Sequence, residues 1–459
     1  MAKGTTGIPN NYFESLKPLV KWIAFLLPVS IAIGSVVAMF LSLLTMAIHM
    51  RFAHTWLLYL LPLAGLLIHF IYQGIGKSSE RGTNLILEEL NNQGGGIPKR
   101  MAPIILITTL LTHLFGGSAG REGTAVQIGG GVAAIFGKWF KLNKPDMRIL
   151  IIAGIAAGFG AVFGTPFTGA VFAMEVITFE RIKYKALLPA LLAAVIANLT
   201  VTAWHIEHAR YSIDPLSATS NFNILLLSKV FIAATLFGLA SYLFSKLVTG
   251  IKKVSLKLFK HTWIIPIFGG LVIIALTSIL GKPDYLSLGV DAEYNGAITI
   301  SSAFHHGGAD TWSWLWKTFY TTITLGTGFK GGEVTPLFYI GATLGNTLSG
   351  ILNAPVSLFA ALGFIAVFAG ATNTPLACTF MGVELFGREH VLLFGIACFT
   401  AYLFSGNVGI YSSPKVADEK LFDRNSGDAD PLFKTTRLGG YLNQKFCKYH
   451  IIFNKPTRG

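Results

Sequence analysis

Two glycine-rich breaks in this chain each carry a glutamate, and the two glutamates stand 211 residues apart. The first break reads GGSAGREGTAVQIGG over 116–130 and holds Glu122; the second reads GFKGGEVTPLF over 328–338 and holds Glu333. At this offset Gly117 meets Gly328, Gly120 meets Gly331, Glu122 meets Glu333 and Thr124 meets Thr335. A second pair follows at an offset of 209, GTPFTGAVFAMEV (164–176) against NTPLACTFMGVEL (373–385). It aligns Thr165-Pro166 with Thr374-Pro375 and Glu175 with Glu384. Seven anchors at two neighbouring offsets amount to a diverged internal duplication, and duplicated membrane chains are a signature of transporters and channels.

The chemistry available to such a glutamate follows from its setting. A charged side chain at the centre of a bilayer costs roughly 2.5–3.5 kcal/mol on insertion scales, so it faces a polar cavity and pairs with something. Glu122 follows Gly-Arg and precedes Gly-Thr-Ala-Val-Gln, which reads as a loop feeding a helix. The first amides of that helix point into the break, where the positive helix end attracts an anion. The carboxylate can occupy this seat as a tethered mimic; once protonated it leaves and a free anion takes its place. One residue would then couple proton and anion binding. The alternative is a carboxylate that caps its own helix and pairs with Arg121.

The rest of the chain supplies a membrane frame for these breaks. Of 459 residues, 52% are hydrophobic and only 13% charged, with a mean hydropathy of +0.59; a soluble chain carries about 25% charge. Apolar stretches recur at 18–48, 55–74, 103–116, 149–163, 186–203, 223–246, 262–280, 334–350, 356–369 and 391–405. Some are long enough to cross about 30 Å of hydrocarbon and others too short, the pattern of re-entrant and half-spanning helices around a cavity. The net charge of +14 sits in loops, at Lys17, Lys21, Lys77, Arg81, Lys99, Arg100, Lys141, Lys144, Arg148, Arg181, Lys183, Lys185 and 252–260. That is a positive-inside distribution rather than a nucleic-acid surface, and it places the N-terminus in the cytoplasm. No cleavable signal peptide is visible. Cys378, Cys398 and Cys447 form no disulfide or zinc pattern. The expected organisation is a cytoplasmic segment (1–17), a first transmembrane repeat (18–205), a connection (206–220), a second repeat (221–412) and a cytoplasmic helix and tail (413–459).

At these motifs the chain resembles the CLC family of chloride channels and transporters. GREGTAVQ looks like the family's gating-glutamate motif, GGEVTPLF stands where its second pore motif lies, and GIYSSP (409–414) stands where its anion-coordinating tyrosine opens the last helix. The resemblance covers roughly 18–415. It implies an all-α fold of two inverted-topology repeats with tilted, broken and re-entrant helices, a transporter or channel rather than an enzyme, no cofactor, and a homodimer in the plasma membrane. Two departures point to the fluoride–proton antiporter branch: Thr124 replaces the proline after the gating glutamate, and Val334 replaces a bulky aromatic, with Glu333 just before it. The implied roles are Glu122 as gate and proton carrier, Glu333 as second pore glutamate, and Gly123, Thr124, Val334, Thr335 and Tyr411 as anion-binding positions. Fluoride would leave as protons enter; a chloride–proton antiporter or passive chloride channel of the same fold is the alternative. The inner anion ligands are assigned to Thr83 or Asn84 at the start of a helix over 83–92. GGGIP (94–98), with Gly95 and Gly96, is the competing segment and reads better as a connection between helices.

Other residues carry plainer expectations. Glu175 and Glu384 near helix ends suit capping or ion pairing, and Pro166 and Pro375 suit the first helical position. His113, nine residues before Glu122, suits a packed, hydrogen-bonded histidine, with a place on a proton path as the sharper reading. His205, His208, His305 and His306 sit in polar loops with no ligand set, so no metal is expected. Lys330 beside the second glutamate raises the local positive potential. An intramembrane hydrolase would need a motif such as H-E-x-x-H or G-x-S-x-G, and neither is present.

Overall fold

The computed structural model describes residues 11–92, 96–177, 184–214, 223–290 and 294–411. Among them the extended elements are helical, and the one β-bridge joins Gly120 to Gly332. The first half holds α1 (Asn11–Ala53), α2 (Leu61–Ile71), α3 (Thr83–Asn92), α4 (Met101–Leu114), α5 (Glu122–Trp139), α6 (Lys144–Phe163), α7 (Pro166–Glu175) and α8 (Leu187–Ala203). The second holds α9 (Ile224–Leu258), α10 (Ile264–Leu280), α11 (Ser313–Gly326), α12 (Val334–Leu352), α13 (Val356–Thr372), α14 (Pro375–Phe386) and α15 (Val391–Phe404). Four helical stretches, Lys21–Ala53, Thr55–Asn91, Lys144–Phe163 and Ile224–Leu258, are long and apolar enough to cross a membrane. The shorter apolar helices of 10–17 residues reach at most about 25 Å at 1.5 Å per residue, short of the roughly 30 Å of a hydrocarbon core.

The halves pack alike. α1 runs along α8 as α9 runs along α15, α5 lies on α6 as α12 lies on α13, and α4 leads into α5 as α11 leads into α12. At the centre Gly120 and Gly332 exchange both backbone hydrogen bonds, at 2.6 and 2.7 Å, as residues related by a local two-fold must. Phe159 and Phe368 stack across the same axis, with centroids 6.2 Å apart. The true register at the breaks is therefore 212, one residue beyond the offset the sequence suggests. α5 opens at Glu122 and α12 at Val334, so Glu122 is the counterpart of Val334 and Glu333 that of Arg121. The sequence alignment slipped because it favoured glutamate on glutamate. After α6 and α13 the register is 209, as expected: Gly164 and Asn373, both left-handed (φ 74° and 60°), close those helices, and Pro166 and Pro375 open the next.

Small residues let the paired helices approach closely. A Cβ on Gly129 would stand 2.0 Å from the carbonyl oxygen of Gly154, and one on Gly341 would stand 2.0 Å from that of Gly363. These are the same contact in the two repeats. Within lipid, where helices gain little from apolar burial, such backbone-to-backbone packing is the main attraction available. It holds the starts of α5 and α12 at fixed places beside the axis.

Candidate anion and proton site

The N-terminal ends of α5 and α12 meet at the axis, and Glu122 lies between them, fully buried. It is the first residue of α5, yet its carboxylate serves the other repeat. Oε2 accepts from the Thr335 amide at 3.1 Å and Oε1 from the Thr335 hydroxyl, while the Arg121 amide donates to Oε2 at 3.0 Å. The Arg121 guanidinium stands 3.9 Å away and only partly exposed. The two readings left open by the sequence are thus both refined: the glutamate does cap a helix, but chiefly α12 rather than its own. An anion already occupies the positive end of α12, and that anion is attached to the chain.

The remaining sequence candidates fall around this point in different ways. Glu333 is the N-cap of α12 and half-buried. Tyr411 is buried against Phe172, and the hydrogen bond from the Ile410 amide to the Ala371 carbonyl (2.9 Å) anchors it. Val334 and Thr335 are buried in the first turn of α12. Gly123 packs directly on the Gly332 backbone, where a Cβ would come within 3.1 Å of Cα. Thr124 turns its hydroxyl away to Thr109 of α4, 2.7 Å distant; that hydroxyl is committed to joining helices, so of Thr124 only the backbone faces the break. Thr83 opens α3 as expected and accepts from the Gln127 amide at 3.4 Å, which sets the start of α3 beside α5 about one and a half turns below Glu122. Asn84 follows it, half-buried. Of the competing GGGIP segment, Gly95 lies outside the described residues; Gly96 donates to Glu89 at 3.0 Å and the chain leads straight into α4, as a connection should.

The second pair of glutamates repeats the crossed arrangement. Glu175 ends α7 and accepts from the amides of Leu376 and Ala377 (3.1 and 2.8 Å), the first turn of α14. Glu384 accepts from the amides of Phe167 and Thr168 (2.9 and 2.7 Å) and from the Thr168 hydroxyl, the first turn of α7. Each repeat caps a helix of the other. Capping was legible from position; the exchange between repeats was not, because the two partners are more than 200 residues apart.

One buried polar residue near the site, Lys317, went unnoticed in the sequence. Lys317 of α11 is fully buried, with Nζ donating to the carbonyls of Tyr285, Leu286 and Ser287 at 3.2, 3.5 and 2.8 Å. A lysine inside the otherwise apolar SWLWKTFY was the available signal. His208 lies in a loop, as expected, and is half-buried there: with Arg121, Phe163, Tyr211, Thr335 and Phe338 it lines a cavity of about 20 Å³. On another side Lys330 stacks over Tyr72 at 4.3 Å and shares a cavity of about 440 Å³ with Lys77, Lys252, His69 and Glu80. That basic cavity supports the expectation of local positive potential, through three lysines rather than one.

Two membrane-embedded repeats that point broken helix ends at a shared, carboxylate-filled seat define a membrane transport protein for ions. Its family is shown by comparison: residues 60–406 match the Voltage gated chloride channel model, and the chain belongs to that family of anion/proton exchangers and channels. It is 42% identical over 408 residues to the "Chloride/fluoride channel protein" of Pseudomonas syringae pv. tomato, covering 89% of each chain. It superimposes on the crystal structure of a CLC-type fluoride/proton antiporter with a TM-score of 0.80 at 34% identity, covering 86% of this chain and 97% of that one. A slow cyanobacterial Cl⁻/H⁺ antiporter shares the fold, with a TM-score of 0.71 at 20% identity over 84% of this chain and 94% of that one.

Proposed function

We propose that this protein exports fluoride in exchange for protons, with Glu122 as the exchanging group. One observation carries the reading: the Glu122 carboxylate sits on the amide and hydroxyl of Thr335, the hydrogen-bond donors a small anion would use at the same helix end. A proton arriving at the carboxylate weakens its hold, since hydrogen bonds to an ionised acceptor are roughly twice as strong as neutral ones. The neutral acid swings out and fluoride takes the donors. Deprotonation returns the side chain and displaces the ion. Fluoride holds its hydration shell tightly, so it needs a strong hydroxyl and amide in exchange, and Thr335 offers both.

Glu333, Val334 and Tyr411 surround the same path. Glu333 stands at the N-cap of α12, where a second carboxylate can take over the proton or repel the anion onward. Val334 leaves room that a bulky aromatic would fill. Thr83 and Asn84, beside Gln127, form the far end of the anion path. The similarity to a protein described as a chloride/fluoride channel and to a fluoride/proton antiporter supports the choice of ion. The family also contains H(+)/Cl(-) exchange transporters, such as ClcA of Vibrio cholerae, 26% identical over 332 residues and covering 65% of this chain; chloride exchange is the competing reading. We further infer two pore-bearing copies in the plasma membrane, N-termini cytoplasmic, in the order 1–17, 18–205, 206–220, 221–412 and 413–459.

The deciding experiment uses liposomes carrying purified protein, with fluoride and chloride electrodes outside and a pH dye inside. Fluoride efflux far above chloride, with protons moving the opposite way, is expected. Dominant chloride efflux would keep the seat and its carboxylate but overturn the choice of fluoride.

A further inference from the structure

The cavity beside Arg121 is not the only polar approach to Glu122. His113, at the end of α4, is fully buried, and its Nδ1 lies 2.8 Å from the Ser287 hydroxyl. Its Nε2 is buried without a full hydrogen bond and rests against the backbone of Gly120. Gly120 in turn touches the gate: a Cβ there would stand 2.6 Å from Glu122 Oε2. Ser287 is held at φ 51°, a conformation that is an outlier for a serine and persists only where the surroundings impose it. The surroundings are Lys317, whose ammonium grips the three carbonyls at 285–287, with no carboxylate among its bonds, and which sits 5.2 Å over the Tyr339 ring. A fully buried lysine spent on fixing one turn marks that turn as important.

Beyond Ser287 the polar line continues outward. Ser287 and Asp284 both line a cavity of about 30 Å³, with Tyr294 and Thr299; about 10–15 Å³ suffices for one water when polar partners are present. Asp284 is 7% exposed, and its Oδ2 is buried with no hydrogen-bond partner. Tyr294, 41% exposed, donates to the other oxygen, Oδ1. Val290 lines both this cavity and the one at Arg121 and His208. The charged groups that act on His113 are Lys317 from α11 and Arg121 from the break before α5; Glu122 lies beyond Gly120, and Arg51 of α1 lies against Gly116.

We propose that Tyr294, Asp284, Ser287 and His113 form a proton route to Glu122 that is separate from the anion's approach past Arg121 and His208. Lys317 is its positioning residue. The route rests on the exchange reading above and deepens it. Asp284 takes a proton at Oδ2 from the Tyr294 side and passes it to a water that the cavity has room to hold. The Ser287 hydroxyl accepts one hydrogen and gives its own to His113 Nδ1. His113 releases the hydrogen on Nε2 to a carboxylate oxygen of Glu122, which becomes the neutral acid. One proton has moved, no other atom is transferred, and a ring flip exchanging the two nitrogens resets the histidine.

The test measures fluoride-driven proton uptake in liposomes for the parent, His113→Gln, Ser287→Ala and Asp284→Asn, with fluoride affinity by calorimetry and melting temperature for each. His113→Gln keeps a hydrogen-bond partner for Ser287 but cannot relay a proton. Its coupled turnover should fall about tenfold or more, with fluoride affinity and melting temperature at parental values. Adding Ser287→Ala to it should change nothing further, since both act on one line. Asp284→Asn, at the outer end and away from the packed centre, should slow turnover in the same way. A His113→Gln protein turning over at the parental rate overturns the route. So does one whose rate, fluoride affinity and melting temperature all fall together, which would make His113 a packing residue. If the parent itself moves no protons against fluoride, the proposed function falls and the route falls with it; a coupling parent beside an unaffected variant sinks the route alone.

Discussion

Replacing Glu122 by glutamine keeps the shape of the side chain and removes its charge, so its consequences can be worked from the bonds it makes. Three donors converge on the carboxylate: the Thr335 amide and hydroxyl and the Arg121 amide. A hydrogen bond to a charged group contributes about 1.5–3 kcal/mol and a neutral one about 0.5–1.5, so each loses roughly 1 kcal/mol on neutralisation. The side chain's hold on the α12 end should therefore weaken by about 3 kcal/mol, on the order of a hundredfold in its occupancy equilibrium. Glutamine also presents an NH₂ group, for which only the Thr335 hydroxyl among those donors can turn to accept. Two results follow. Fluoride no longer competes with a bound carboxylate, so its apparent affinity by titration calorimetry should rise, by up to about a hundredfold if the parent's seat is mostly self-occupied. Proton movement driven by a fluoride gradient should vanish, because the group that cycled the proton is gone. The assay is parallel fluoride and pH recording in liposomes, with calorimetry on the same preparation. Glu122→Gln protein that still takes up protons against fluoride, or binds fluoride more weakly than the parent, would refute the exchange of carboxylate for anion at Thr335.

The other expectations address selectivity and the frame. Thr335→Val in a Glu122→Gln background should weaken fluoride binding by about 1.5–3 kcal/mol, or tenfold and more, with a smaller loss for chloride, while Thr335→Ser should restore it; calorimetry with both ions decides. Glu175→Ala strands the buried amide of Ala377 at roughly 1–3 kcal/mol and frees the part-buried amide of Leu376, and Glu384→Ala, at a smaller cost, frees the part-buried amide of Thr168 and the exposed one of Phe167. Both should lower the melting temperature in detergent, and a neutral result for either would show that water replaces the cap. Gly129→Ala and Gly341→Ala each drive a methyl to 2.0 Å from a backbone carbonyl. Each should therefore cost folded yield by size-exclusion chromatography, and normal yield would mean that α5 and α6, or α12 and α13, can separate without harm.

Much of the architecture was written in composition and spacing. Apolar runs of unequal length, glycine breaks and paired motifs required a duplicated membrane protein with helices that stop inside the bilayer, and the starts at Glu122, Pro166 and Pro375 were visible because Gly-Arg and Thr-Pro punctuate the chain there. α3 could be placed at 83–92 from its polar flanks and the family's spacing. α11 was missed: its threonines, aromatics and Lys317 do not read as an apolar run, and only burial against the 283–290 loop explains them.

The sequence by itself singled out candidates for an ion site: the two break glutamates from their setting in glycine-rich gaps, and Thr335 and Tyr411 from the resemblance of their motifs to the family's. Tertiary structure alone decided whom they serve. The antiparallel meeting of Gly120 and Gly332 sets the register at 212, pairs Glu122 with Val334, and sends its carboxylate to the opposite repeat. The same folding spends the Thr124 hydroxyl on Thr109 and joins His113 to Ser287 across 174 positions. Hydrogen bonds act over about 3 Å, and which groups come that close is set by how two distant halves pack, a relation that no local pattern encodes.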